Sequence, residues 1–159
     1  MSGSGRKCEC SCMPVAPSFS LPDQNGQKFD LDEAARSGPV VLFFYPRDDS
    51  MMCTKQVCAF RDSYSELKDL GCSIVGVSRD PVDSHARFSA KYKLPFPLLT
   101  DSSGALAKLF GVKRRFGMIP GRTTFVIDQQ KQIVGRYDGI LAPDRHVQWA
   151  SSVIRKTTL

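Results

Sequence analysis

The sequence predicts an α/β fold: a central mixed β-sheet flanked by helices, preceded by a short N-terminal hairpin. Three observations predict it. The apolar runs Val40 to Tyr45 and Ser73 to Val77 have strand length and no polar face, as strands covered on both sides require. Around them lie stretches whose apolar residues recur every three or four positions, the helical period. At 159 residues the chain is the size of one domain, able to bury roughly 70% of its unfolded surface. Strands alternating with helices stack as a sheet with helices on its faces, joined by right-handed crossovers.

Taken in order, residues 1–16 are rich in Ser, Gly and Cys without periodicity, so they read as a flexible tail ahead of a domain over 17–159. Phe19 to Leu21 and Lys28 to Leu31 flank Gln24, Asn25 and Gly26, and Asn-Gly is a two-residue turn signal, hence the hairpin. Val40 to Tyr45 is the first buried strand. From Cys53 to Leu70, the residues Val57, Phe60, Tyr64 and Leu67 mark one face of a helix that Gly71 is placed to cap. Ser73 to Val77 is the next strand, and Ser84 to Tyr92 a helix that stops ahead of Pro95. Leu98 and Leu99 form a short apolar piece. A helix over Ala105 to Phe110 follows, with Asp101 to Ser103 as capping candidates. Thr123 to Ile127 and Gln132 to Tyr137 make a hairpin turning at Asp128 to Lys131, and a closing helix follows Pro143, whose ring suits a first helical turn.

Composition excludes several classes. Hydrophobic residues at 42% and charged residues at 24% are the balance of a soluble globular protein, and no apolar stretch nears the ~20 residues of a membrane span. The net charge of +6 is spread out, densest at Lys113, Arg114 and Arg115, so it describes a solvated surface and neither nucleic acid nor a membrane is expected as partner. Six cysteines are too few and too uneven for a disulfide scaffold, and no signal-peptide core follows Met1. A reducing intracellular compartment is therefore expected, the cytoplasm or, if a targeting segment has been removed, a plastid.

The chemistry concentrates at Cys53 and Cys58. Cys53 opens the predicted helix, where unpaired N–H groups and the positive end of the dipole favour a thiolate. First-turn positions are usually partly exposed, so a partly exposed Cys53 is expected. On an ideal helix residues five apart differ by about 140° and roughly 7.5 Å of rise, a Cα separation near 9 Å. A disulfide needs roughly 4.4 to 6.8 Å. If the two cysteines pair, the helix must unwind locally, which makes the pair a switch and not a staple.

Phe44, Tyr45 and Pro46, then Cys53, Thr54, Lys55, Gln56, Val57, Cys58, Ala59, Phe60, Arg61 and Asp62, resemble the active-site segment of peroxiredoxins, in the peroxiredoxin Q or bacterioferritin-comigratory-protein branch. Tyr92, Leu94, Pro95, Phe96, Leu98, Leu99 and Asp101, and then Pro120, Gly121, Arg122 and Thr123, follow in that branch's order, so the similarity runs over about residues 14–155. The resemblance implies a thioredoxin-like fold of the peroxiredoxin type. It implies a thiol peroxidase acting on hydrogen peroxide and small alkyl hydroperoxides, a monomer without cofactor, metal, flavin or haem, re-reduced by thioredoxin or glutaredoxin. The family motif is Pro, three residues, Thr, two residues, Cys, and Pro46, Ser50 and Cys53 occupy its positions. By resemblance Cys53 is the peroxidatic cysteine and Cys58 the resolving one, Ser50 orients peroxide, Pro46 shields the thiolate and Arg122 supplies the guanidinium. Two departures stand out. Serine in place of threonine keeps the oxygen but drops a methyl that restrains χ1. Met51 and Met52 stand where Pro-Gly is common, removing preset backbone geometry and placing two oxidisable thioethers beside the peroxide path.

Peroxide reduction requires an anionic sulfur to attack one oxygen while the other leaves, and an arginine, which cannot deprotonate, can face both the thiolate and the breaking O–O bond. The sulfenic acid so formed condenses with a nearby thiol or over-oxidises. A second reading is a thiol-based redox sensor or interaction module of low turnover, in which oxidation mainly changes the helix. A third is metal binding by the Cys8, Cys10 and Cys12 tail, which could also take a lipid or supply a resolving thiol. Cys72 enters an apolar strand and reads as structural. His85 and His146 fall on predicted helix surfaces, with no metal or general-base role assigned.

Overall fold

In the computed structural model, residues 14–112, 114–115, 119–120, 122–139 and 143–158 are described. The chain runs β1 (Ser20–Pro22), β2 (Lys28–Asp30), α1 (Leu31–Ser37), β3 (Val40–Phe44), α2 (Met51–Asp62), α3 (Tyr64–Asp69), β4 (Ser73–Ser78), α4 (Val82–Tyr92), β5 (Leu98–Thr100), α5 (Ala105–Leu109), β6 (Arg114–Arg115), β7 (Ile119–Pro120), β8 (Thr123–Ile127), β9 (Ile133–Asp138) and α6 (Pro143–Thr158). No helix among the described residues is long and apolar enough to cross a membrane.

β3 is buried at all five residues because it lies at the centre of a five-stranded sheet ordered β5-β4-β3-β8-β9. β4 runs parallel to β3 and β5 parallel to β4, while β8 and β9 are antiparallel to their neighbours, so the sheet is mixed as predicted. Alternate residues of β3 serve two cores, as a period of two demands. Val41 and Phe43 join Val57, Phe60, Phe88 and Ile154 of α2, α4 and α6. Val40, Leu42 and Phe44 join Leu31, Leu106 and Phe110 on the opposite face. Gly76 of β4 lets this close: a Cβ there would sit 2.8 Å from the Phe43 ring and 2.9 Å from Leu98.

The boundaries differ from expectation in four places, each with a local cause. Pro14 to Ala16 lie outside the tail. The Ala16 N–H donates to Lys131 O at 2.7 Å and the Ile133 N–H to Pro14 O at 2.8 Å, so this segment covers the start of edge strand β9 and Ala16 is buried. The hairpin between β1 and β2 has a longer connection than two residues, organised by the Asp23 carboxylate, which accepts from the N–H groups of Asn25 and Gln27, while Gly26 takes a φ of 77°. The helix expected from Cys53 to Leu70 is two helices. It starts two residues early because Ser50 caps it, and it breaks at Ser63, turning the chain so that Tyr64 meets Phe96 and Leu67 enters the core. Gly71, at a φ of 83°, then ends α3 in a Schellman pair, its N–H to Lys68 O and that of Cys72 to Leu67 O. Lastly, Gly104 and not a side chain of Asp101 to Ser103 stands at the start of α5, but Asp101 caps it all the same, its carboxylate accepting from the N–H groups of Leu106 and Ala107.

Candidate active site

The loop from Pro46 to Ser50 carries the chain from β3 into α2. Pro46 and Ser50 are half-buried at its two ends. Ser50 has extended backbone, φ −74° and ψ 151°, and its Oγ accepts from the Cys53 N–H at 3.4 Å while donating to Arg47 O at 3.3 Å. Its carbonyl accepts from the Thr54 N–H at 2.8 Å. The hydroxyl expected to face peroxide is therefore also the N-cap that places Cys53 in the first turn.

Cys53 is fully buried, which overturns the expectation of partial exposure. The reason is packing: Cys53 belongs to the core cluster with Phe43, Val57, Phe60 and Val147, where α2 meets α6. Arg122, just ahead of β8 and itself buried, adds to this, its Nη1 lying 3.4 Å from Cys53 Sγ. The same nitrogen donates to Gln56 Oε1 at 2.6 Å. Helix amides on one side and a guanidinium on the other thus present positive charge to one sulfur. Sequence reasoning did not single out Gln56. The available signal was its spacing of three from Cys53, which puts both on one helix face. Among the described residues Arg122 Nε and Gln56 Nε2 are buried without a partner, so the two side chains keep unused donors.

Arg122 is positioned by the end of the β8–β9 hairpin. Its carbonyl accepts from the Gly139 N–H at 3.2 Å, and Thr123 Oγ1 donates to Asp138 Oδ1 at 2.6 Å. His146 secures the same corner, its Nδ1 2.7 Å from Thr124 Oγ1 and its Nε2 2.9 Å from Gly139 O. Burial, with the charge of Arg122 adding to it against the opposing Gly139 bond and Asp138, holds its pKa below the ordinary value. His85 is likewise fully buried, in contact with Asp48. Neither histidine lies on a helix surface as expected, because each fills a buried polar position facing the sheet.

Cys58 stands one and a half turns after Cys53 on intact α2, half-buried, and both thiols are free. Burial raises the Cys58 pKa, against the pull of Arg61 and with the push of Asp62. Cys72 is buried and its thiol is pushed up to about 12, which fits its structural reading. Cys8, Cys10, Cys12, Lys113 and Gly121 lie outside the described residues. Asp48, Asp80 and His85 bring ligand-type atoms within 4.8 Å of one another, but both His85 ring nitrogens already face hydrogen-bond acceptors.

A model of the AhpC/TSA family matches residues 14–136. Chloroplastic peroxiredoxin Q of Triticum aestivum is 41% identical over 142 residues, which are 89% of this chain and 65% of the wheat protein. The one from Sedum lineare is 43% identical over 132 residues, 82% of this chain and 70% of that protein. The chain thus spans less than two thirds of the wheat relative's length. The crystal structure of peroxidoxin BcpB from Mycobacterium tuberculosis superimposes with a TM-score of 0.85 at 38% identity, covering 91% of this chain and 96% of that one. The α/β architecture is accordingly the thioredoxin-like fold of peroxiredoxins. A buried cysteine at the head of α2, met by the arginine just ahead of β8, sits within the matched span, and the chain belongs to the AhpC/TSA family, among the peroxiredoxins of the Q type.

Proposed function

We propose that the chain is a thiol peroxidase that reduces hydrogen peroxide and small alkyl hydroperoxides through Cys53. The observation that carries the reading is the 3.4 Å contact between Arg122 Nη1 and Cys53 Sγ at the start of α2. A guanidinium there stabilises the thiolate before reaction and the charge that develops on the departing oxygen during it. In the proposed step the Cys53 thiolate bonds to one peroxide oxygen, the O–O bond breaks, and the leaving oxygen takes a proton as water or alcohol. Cys53 is left as a sulfenic acid. Pro46 and Ser50 flank the approach, and the free donors of Arg122 and Gln56 are available to the peroxide oxygens.

Cys58 then closes the cycle. Its thiolate attacks the Cys53 sulfur, an S–S bond forms and the hydroxyl leaves as water. A dithiol of the thioredoxin or glutaredoxin type returns two electrons. Both cysteines lie within α2, so the helix must open for the sulfurs to meet. Mass spectrometry of the protein after one equivalent of hydrogen peroxide should give a Cys53–Cys58 bridge and no bridge in Cys53→Ser. A wild-type protein that consumes peroxide without that bridge removes Cys58 from the mechanism; one that does not consume it removes the peroxidase reading.

One observation favours a slower, sensor-like variant of the same chemistry. The raised Cys58 pKa leaves little thiolate at neutral pH, which lengthens the life of the sulfenic acid. Steady-state turnover with a thioredoxin system separates the two, since fast turnover leaves no room for a sensor alone.

A further inference from the structure

The loop that delivers Cys53 is held by one buried carboxylate. Tyr45 Oη donates to Asp48 Oδ1 at 2.6 Å, Ser84 Oγ donates to Asp48 Oδ2 at 2.8 Å, and His85 Nδ1 lies 2.8 Å from the same oxygen. The Asp48 backbone N–H donates to Asp80 Oδ2 at 2.9 Å. Tyr45 keeps its proton, because burial and then the charge of Asp48 raise its pKa far above the usual value. On its far side His85 Nε2 lies 3.0 Å from Leu99 O. The two ring nitrogens of His85 thus bridge the Asp48 carboxylate and the Leu99 carbonyl. Asp48 and His85 together therefore tie the loop to the end of β3, the first turn of α4 and the edge strand β5, with both side chains out of water.

The next residue is different in kind. Asp49 is exposed, in the left-handed region at a φ of 63°, and among the described residues its only ion pair is an exposed one with Lys91, which contributes little. Beyond it, the first turn of α2 is held by the Ser50 cap, by Arg122 and by the burial of Cys53.

We propose that Asp48 and His85 are positioning residues that clamp the loop in its attack-ready place and make Asp49 the hinge where α2 begins to unwind. They touch no reacting atom. The inference rests on the reading of Cys53 as the attacking thiol and Cys58 as its partner. It predicts opposite effects on the two steps: attack needs the loop clamped, whereas closure of the disulfide needs α2 opened.

The test uses His85→Leu, which removes both bonds, and His85→Asn, whose amide keeps the donor facing Asp48. In a Cys58→Ser background, His85→Leu should slow the attack of Cys53 on hydrogen peroxide at least about tenfold, the effect of losing one charge-assisted hydrogen bond, and His85→Asn should recover most of the rate. With Cys58 present, closure after sulfenic acid formation should be unchanged or faster in His85→Leu. Equal slowing of both steps is general loosening and overturns the clamp, as does an attack rate within threefold of wild type. Should His85→Leu fail to fold, hydrogen exchange on the unaltered protein decides: the Asp48 amide should exchange far more slowly than those of Cys53 and Thr54, and equal protection on both sides of Asp49 refutes the hinge. The attack and exchange arms do not need a Cys53–Cys58 bridge, so its absence would remove the proposed resolving step and leave the clamp still decided.

Discussion

Replacing Arg122 by methionine separates the electrostatics of the site from its packing. Methionine is long, unbranched and able to fill most of the buried volume the side chain leaves, so what is lost is charge. A thiolate and a guanidinium 3.4 Å apart attract by about 5 kcal/mol at an effective dielectric near 20. Much of that is offset by the cost of burying the charge, and removing one preorganised donor from a developing anion typically costs about 3 to 4 kcal/mol. The second-order rate of Cys53 with hydrogen peroxide should therefore fall about 100- to 1000-fold. Stability should fall by about 1 to 3 kcal/mol, because the buried Gln56 Oε1 loses the donor it has in Arg122 Nη1. Stopped-flow fluorescence or competition for peroxide measures the first quantity, and urea unfolding the second. A variant that reacts within threefold of wild type would refute the reasoning, as would one whose loss of rate merely follows loss of fold.

The remaining predictions concern the helix and the sheet beneath it. Because burial raises the Cys58 pKa, its thiolate is scarce at neutral pH and grows about tenfold per pH unit while the pH stays below that pKa; disulfide closure followed by stopped flow should climb with pH from neutral into the alkaline range, and a flat profile would rule out thiolate-limited resolution. Met51 is the first residue of α2 and largely exposed, at 73%, a position where proline's fixed φ fits. Met51→Pro should stabilise the helix start by about 0.4 to 1 kcal/mol and slow closure two- to fivefold, read as more Cys53 sulfinic acid by mass spectrometry at high peroxide. Gly76→Ala would push a methyl to 2.8 Å from the Phe43 ring and should cost about 1 to 3 kcal/mol in urea unfolding; no measurable loss would mean that β3 and β4 can part more easily than their packing indicates.

Much of this was legible in the residues, and what was not has a common cause. Strands read from unbroken apolar runs were found where a doubly covered sheet demands them, and the helix after Cys53 was visible from Val57, Phe60 and Leu67. Its break at Ser63 was not, since Tyr64 keeps the helical spacing and only the ring of Phe96 shows why the chain turns. The buried histidines were missed for the same reason. Nothing local distinguishes a surface histidine from His85, whose partners Asp48 and Leu99 come from other elements. Cys53 and Arg122 could be marked from sequence through a motif, but their separation of 3.4 Å exists only because β8 runs antiparallel beside β3. Gln56, read from the sequence only as part of the resembling segment, joins them by helical spacing and could have been given a place in the site.

In the proposed cycle α2 would face two incompatible demands, to hold Cys53 buried for attack and to release it for pairing, and its contacts differ along its length accordingly. The second half is anchored by apolar and polar contacts together: Phe60 stacks on Phe43 with ring centroids 4.5 Å apart, Val57 is buried, and Arg61 Nη1 donates to Tyr92 O at 2.9 Å. The first turn has a 3.4 Å cap from Ser50 on the Cys53 backbone N–H and a 3.4 Å contact from Arg122 to its sulfur, and only the second depends on the sulfur being unoxidised. Converting a thiolate to a neutral sulfenic acid weakens the attraction to the guanidinium, and with it one of the restraints on that turn. On the proposed mechanism, reaction with peroxide would loosen the end of the helix that must open and leave the Phe43–Phe60 anchor untouched, so the helix would not need to unfold as a whole for the two sulfurs to meet.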